Sequence, residues 1–146
     1  MSKTCNKGDV GVAMVIADLT SRGIKVALPI SGHLPFDLIA ISLEGKLSKV
    51  SVKHRKNNIK RGLVISVETV FKNNKGNHCK VADKLWYDSV AVYCPDTGKC
   101  YYFLNNDIPE CGQLLIRLDP NKFENSKNRY RIKNANDYLD ATKIFR

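Results

Sequence analysis

The chain has 146 residues, 43% apolar and 26% charged, enough for one ordinary domain with a core and too few for a multi-domain machine. Its 24 Lys and Arg against 14 Asp and Glu leave a net charge of +10 and a pI near 9.5, a field that favours polyanions and carries no information about fold. No segment reaches the ~20 apolar residues of a membrane span, and Met1–Asp9 lacks the apolar stretch of a signal peptide.

The expectation is therefore a single domain over 1–146, cytoplasmic (nucleoid-associated or phage-encoded in a host cytoplasm) and with no membrane partner. In chain order, Gly8 to Arg22 carries apolar residues at helical spacing and ends at Gly23, a C-cap residue. Val12, Val15 and Ile16 make this helix apolar on most sides, which predicts burial between neighbours. Ile24–Leu28 reads as a strand and Pro29–Pro35 as a loop. Phe36–Ser42 and Leu47–Arg55, joined by Leu43–Lys46, read as a β-hairpin. Leu63–Val67 is a further strand, and Phe71–Lys84, rich in Asn and Lys, is expected to be a mobile surface connection.

A second hairpin spans Ser89–Cys94 and Lys99–Leu104 around Pro95–Gly98. With that four-residue loop Cys94 pairs with Lys99, so Cys94 and Cys100 face opposite sides. Tyr101 and Tyr102 likewise face opposite ways, with one expected to be buried. Gln113–Leu118 is a candidate strand, a basic irregular segment follows, and Asn134–Ala141 closes the chain as a short helix. This order implies an α+β or mixed α/β domain. The five cysteines (Cys5, Cys79, Cys94, Cys100, Cys111) lack CxxC spacing and are expected as free thiols rather than zinc ligands.

The positive charge is clustered. Lys46, Lys49, Lys53, Arg55, Lys56, Lys60 and Arg61, with His54, lie in a run without an acid. Lys122, Lys127, Arg129, Arg131 and Lys133 form a second run with only Glu124 against it. Asn residues and Tyr130 stand among them, and Asn reads base edges where Lys and Arg hold phosphates. Nucleic-acid binding that weakens steeply with salt is the favoured reading, against a solvated basic face without a partner.

Metal-dependent phosphodiester cleavage needs an acid for the metal, a water nucleophile and a cation near the phosphate. A hairpin can supply these from an Asp opening one strand and an acid or amide, a spacer and a Lys on the next, because residues two apart share a face. Pro35-Phe36-Asp37 and Ser51-Val52-Lys53 fit that pattern, with Val50 and Val52 towards the core and Ser51 and Lys53 on the opposite side.

With Lys7-Gly8-Asp9-Val10-Gly11, the run Val15–Leu19, Arg22-Gly23, Leu34–Leu38, Val50–Lys53, Ala91–Tyr102 and Ala135–Tyr138, the chain resembles the PD-(D/E)XK endonucleases associated with group I introns. The resemblance implies a restriction-endonuclease-like core, a mixed central β-sheet flanked by helices. It also implies a homodimer or homotetramer that cuts both strands of a long double-stranded DNA site with Mg2+ or Mn2+. Asp37 then holds the metal with the Val52 backbone carbonyl, Lys53 is the catalytic cation, Ser51 is a weak ligand, and Asp9 is a further metal candidate. Asp9 is otherwise a first-turn acid that favours the helix dipole. The DNA contacts fall to Lys46, Lys49, His54, Arg55, Lys56, Lys60, Arg61, Lys127, Arg129, Arg131 and Lys133. Two positions depart from the pattern: Val12 stands where such enzymes have a helix Glu, and Ser51 where they have Gln or Glu. Three activities are thereby expected in turn: a homing-type endonuclease, a catalytically impaired DNA-binding relative, and a basic RNA- or protein-interaction module.

Overall fold

In the computed structural model the described residues are 3–59, 61–73, 75–81, 85–110, 112–119 and 133–146, with backbone alone for 3–5, 68–73 and 77–81. The first helix, α1, runs Lys3–Ser21. It starts a turn earlier than Gly8 because nothing before that glycine forbids helix, and Asp9 therefore lies in its interior rather than its first turn. Its end is set by Gly23, whose φ of 78° is open to glycine at no steric cost. The Gly23 N–H donates to the Thr20 carbonyl and the Ile24 N–H to that of Leu19, a Schellman closure with Ile24 packed in the same core cluster as Leu19.

Strands β1 (Lys25–Ala27), β2 (Leu38–Ile41) and β3 (Leu47–His54) follow, then β4 (Leu63–Ser66), β5 (Glu68–Asn73) and β6 (Gly76–Val81). After them come β7 (Ser89–Cys94), β8 (Lys99–Leu104), β9 (Gln113–Arg117) and β10 (Lys133–Asn134). The main sheet has the order β1-β2-β3-β7-β8. It is mixed: β3 and β7 are parallel, the other pairs antiparallel. A second sheet, β10-β9-β4, stands apart from it, and β5 pairs only with β6.

Both faces of the main sheet are covered, and residue parity decides which cluster a side chain joins. Val50, Val52, Ala91, Cys100 and Tyr102 pack with Val15 and Leu19 of α1 and with Ala141 and Ile144 near the chain end. Val90, Val92, Cys94, Tyr101 and Phe103 pack with Leu63, Ile65, Leu114 and Ile116 of the second sheet. Cys94 pairs with Lys99 as expected, and Cys94 and Cys100 are free thiols in opposite clusters. The expectation of one buried tyrosine is corrected: Tyr101 and Tyr102 are 2% and 0% exposed, because neither face of β8 meets solvent.

Two further expectations are overturned. The stretch Phe71–Lys84 is not a structureless connection: within Glu68–Val81, β5 and β6 form an antiparallel hairpin in register from Glu68↔Val81 to Asn73↔Gly76. The closing helix Asn134–Ala141 is not continuous either. Asn134 caps a 3-10 turn at Ala135–Tyr138, and Asp140 caps a second at Ala141–Phe145, each carboxamide or carboxylate accepting from the N–H two residues on. These local bonds compete with an α-helical ladder. Among the described residues the main sheet is thus covered by α1 and the second 3-10 turn on one face and by the β10-β9-β4 sheet and the first 3-10 turn on the other. The segment 120–132, with Lys122, Lys127, Arg129 and Arg131, lies outside the described residues, as does Lys60.

Candidate active site

Asp37 immediately precedes β2, antiparallel to β3. Its N–H donates to the Val50 carbonyl at 2.9 Å, and its carboxylate Oδ2 accepts from the Val52 N–H at 2.6 Å. A strand residue points its N–H and C=O to the same edge, so the Val52 carbonyl faces the edge where Asp37 sits, beyond the first paired residue of β2, Leu38. The carboxylate expected at the metal is thus bonded to the Val52 N–H.

Ser51 and Lys53 share the opposite face of β3 from Val50 and Val52, as expected, but that face is not open. In register with Val90 and Val92 of the buried cluster, Ser51 is only 7% exposed and Lys53 is half-buried. Burial pushes the Lys53 ammonium below its ordinary pKa; Asp37 pulls it back up and Arg55 pushes it further down. Lys53 therefore sits within electrostatic reach of both, without a direct ion pair to Asp37 among the described residues. The order acid, lysine, arginine leaves a positive balance suited to a phosphodiester.

α1 reaches the same end of β3 through Gly11. A Cβ there would come 3.2 Å from the His54 Cβ, so glycine lets the helix lie close against the strand. Val12 is consequently brought beside the last residues of β3, but it packs its methyls against the α1-side cluster and offers no charge. His54 meets the Tyr93 ring edge-on at 5.6 Å and faces the helix, opposite Lys53. Asp9 is exposed, and among the described residues no three His, Cys, Asp or Glu side chains gather to hold a metal.

The basic run is divided in space. Arg55, Lys56 and Arg61 follow the carboxyl end of β3, where Arg55 donates to the His54 carbonyl at 3.0 Å. The loop is fixed by Asp96 of the β7–β8 turn, whose carboxylate accepts from the Asn57 N–H at 2.6 Å. Lys46 and Lys49 lie at the other end of the strand. Lys46 meets Glu44 at 3.8 Å, and Lys49 meets Asp88 at 4.0 Å and donates to the Leu85 carbonyl. Asp88 also accepts from the Lys49 N–H at 2.8 Å, fastening the start of β7 beside β3. Asp88 and Asp96 were not singled out in the sequence; single acids beside turns carry no distinctive signal. Lys133 is half-buried with its ammonium 5.8 Å from the Tyr138 ring centroid.

The donor set accommodates a divalent ion in a minimal way. Mg2+ keeps several waters and takes one or two carboxylates plus substrate oxygens, and Asp37 with the Val52 carbonyl would supply the protein share. Ser51 adds a neutral hydroxyl in place of a charged or amide oxygen.

A family model described as PD-(D/E)XK endonuclease matches residues 2–141. Among solved structures, a bacterial homing endonuclease, I-Ssp6803I, is similar in fold. The TM-score is 0.76 at 20% identity, over 98% of this chain and 93% of that one. A search of curated protein sequences finds no match.

Proposed function

Because the chain belongs to the PD-(D/E)XK endonuclease family, we propose that it is a site-specific endonuclease that binds double-stranded DNA and hydrolyses it slowly, as a homodimer or homotetramer. One chain carries one centre, so cutting both strands takes at least two copies related by symmetry. The observation that carries the proposal is the Asp37 carboxylate bonded to the Val52 N–H beside the half-buried Lys53, which lies within electrostatic reach of Asp37 and Arg55. Asp37 and the Val52 carbonyl would hold Mg2+ or Mn2+, which supplies Lewis acidity at the phosphoryl oxygen and a more acidic attacking water. Lys53 neutralises the charge that develops on the phosphoryl oxygens, and it does so with most effect where water is scarce. Arg55 and Lys56 hold the flanking backbone. Ser51 positions weakly, and Val12 excludes water without adding charge.

A second reading, a DNA-binding relative with almost no cleavage, is favoured by the same two residues. Losing one electrostatic group from an active site typically costs about 10²- to 10³-fold in rate, and here two are replaced. Incubation of supercoiled plasmid libraries with divalent ion separates the readings. The endonuclease reading expects nicking that needs Mg2+ or Mn2+ and falls about 10²-fold or more in Lys53→Ala. It also expects a gain in the folded Val12→Glu/Ser51→Gln variant. Nicking that survives Lys53→Ala sinks the assigned centre; tight, salt-sensitive binding with no nicking in either protein establishes the second reading.

A further inference from the structure

In the connection from β1 to β2, Leu28, Ile30 and Leu34 are 59%, 106% and 44% exposed. Single exposed aliphatics are ordinary on a protein surface, whereas three within seven residues of chain mark a place where something else packs. The loop is also stiff. Pro29 and Pro35 fix their own φ and hold Leu28 and Leu34 before them to extended backbone, and the His33 N–H donates to the Ser31 hydroxyl at 3.5 Å. Both ends are fastened. Ala27 pairs with Ile39, Phe36 packs on the cluster shared with β4 and β9, and the Asp37 N–H is held by the Val50 carbonyl. Register decides which end of the sheet the loop occupies. β1 pairs Lys25 with Ile41 and Ala27 with Ile39, while β2 pairs Ile41 with Leu47 and Leu38 with Val50. The loop therefore leaves the sheet in the direction of Lys53 and Arg55, at the end that carries Asp37 and the exposed Lys56.

We propose that this loop is a wedge: Ile30, flanked by Leu28 and Leu34, enters duplex DNA near the scissile phosphate and parts two stacked base pairs. The proposal rests on the DNA-binding reading above and adds a distortion of the bound DNA beside the candidate site. Duplex DNA is favoured over a second copy of the chain because cations stand at the same end of the sheet. Arg55 and Lys56 attract phosphate there, and an aliphatic wedge set beside cations is a recurring means of unstacking and kinking a base step. The residue types agree. Residues 28–36 contain no acid to repel the backbone, and none of the Lys, Arg, Asn or Gln side chains that read base edges bidentately. Any preference at this point comes from the step that parts most easily, which is a pyrimidine–purine step. Reach agrees as well. Ile30 is seven residues from Asp37, at most ~24 Å of extended chain. At ~3.4 Å per base pair, the parted step lies within about seven base pairs of the cut. A loop already stiffened by two prolines loses little freedom on insertion.

The test selects a tightly bound duplex from a random-sequence library with the full chain and no divalent ion. Unstacking is then mapped along it with permanganate and with 2-aminopurine placed at successive positions. The wild type is expected to unstack one step. Ile30→Ala is expected to keep its thermal midpoint, since the side chain is fully exposed, and to lose the unstacking; Ile30→Met, which keeps a wedge, retains it. A mismatch at that step lowers the cost of parting it, and should tighten wild-type binding about 10-fold or more while leaving Ile30→Ala nearly unchanged. Three results overturn the wedge while leaving DNA binding intact: unstacking that persists in Ile30→Ala, an equal mismatch gain in both proteins, or tight wild-type binding with no unstacked step. An Ile30→Ala variant whose only change is a smaller assembly in sedimentation overturns it too, and assigns the loop to contact with a second copy. No duplex binding by the wild type removes the underlying reading, and the wedge with it.

Discussion

At the residue scale, the Lys53 ammonium loses hydration on folding and recovers only part of it through Asp37, while Arg55 opposes it. Its folded pKa lies below its unfolded value, so between the two values the unfolded chain binds more protons. The resulting cost to stability is full below the lowered pKa and fades as pH rises through it. Lys53→Met fills the same slot without a charge. It should abolish nicking and raise stability at neutral pH by roughly 0.5–2 kcal/mol, the range of single stabilising substitutions, with a smaller gain at alkaline pH. Plasmid nicking and thermal melts on the same preparations check both halves; a melting midpoint that falls would mean that Lys53 is paired rather than held under strain of desolvation. Gly11 is the complementary case. Gly11→Val places methyls against His54, 3.2 Å from the first added carbon, and should cost about 1–3 kcal/mol by overpacking, read as a lower denaturant midpoint.

At the element scale, α1 is tied to the main sheet by a polar knot. Asp18 accepts from the Tyr102 hydroxyl at 2.5 Å and from Arg22 Nε at 2.9 Å, and the Arg22 guanidinium lies 5.9 Å from the Tyr102 ring centroid. Tyr102→Phe leaves Asp18 with Arg22 alone and should cost about 1.5–3 kcal/mol, as for a hydrogen bond to a charged group. Chemical denaturation measures it. The elements themselves were legible to different degrees. Ser89–Cys94 and Lys99–Leu104 could be read to the residue, because strand-forming runs flank a Pro-Asp-Thr-Gly turn that fixes register. Asp37 and Lys53 could be placed together for the same reason, as one turn at Leu43–Lys46 sets the partners of β3. The β5–β6 hairpin was missed because its residues are polar, and alternation of apolar and polar residues is the signal that marks a strand packed on a core. Its turn chemistry, an Asn-rich stretch ending in Gly76, was the cue available. The burial of Ser51 and Lys53 was not legible at all: they lie beside Val90 and Val92 on the face of the main sheet that packs on β4 and β9, a face that local pattern alone leaves open.

At the scale of the whole molecule, several buried acids of high pKa tilt stability against alkali. Burial, helped by Asp18, pushes the Cys100 thiol up to about 12. Burial also raises Tyr87, Tyr101 and, most strongly, Tyr102. Above pH 9, the ordinary value for such a thiol, the unfolded chain sheds protons that the folded chain keeps, so stability falls with rising pH. Among the described groups that titrate in this alkaline range, Lys53 runs the other way. Thermal midpoints measured upward from pH 9 should decline, and Cys100→Ser should make the decline shallower. Native-state alkylation should leave Cys94 and Cys100 unlabelled until the protein unfolds.

β3 and β7 are neighbours in the main sheet, yet the chain between them, residues 55–88, travels out through β4 and the β5–β6 ribbon before returning. The ribbon is thus suspended between two fixed posts, with Asp37 and Lys53 on neither of them. Loop closure depends only weakly on length, about 0.6 kcal/mol for each doubling. Ribbons of other lengths and tips can be exchanged at Val67 and Leu85 for little cost to the sheet. Such an arrangement leaves the stretch between β4 and β7 open to changes in length and sequence while the corner formed by Asp37 and Lys53 stays where it is.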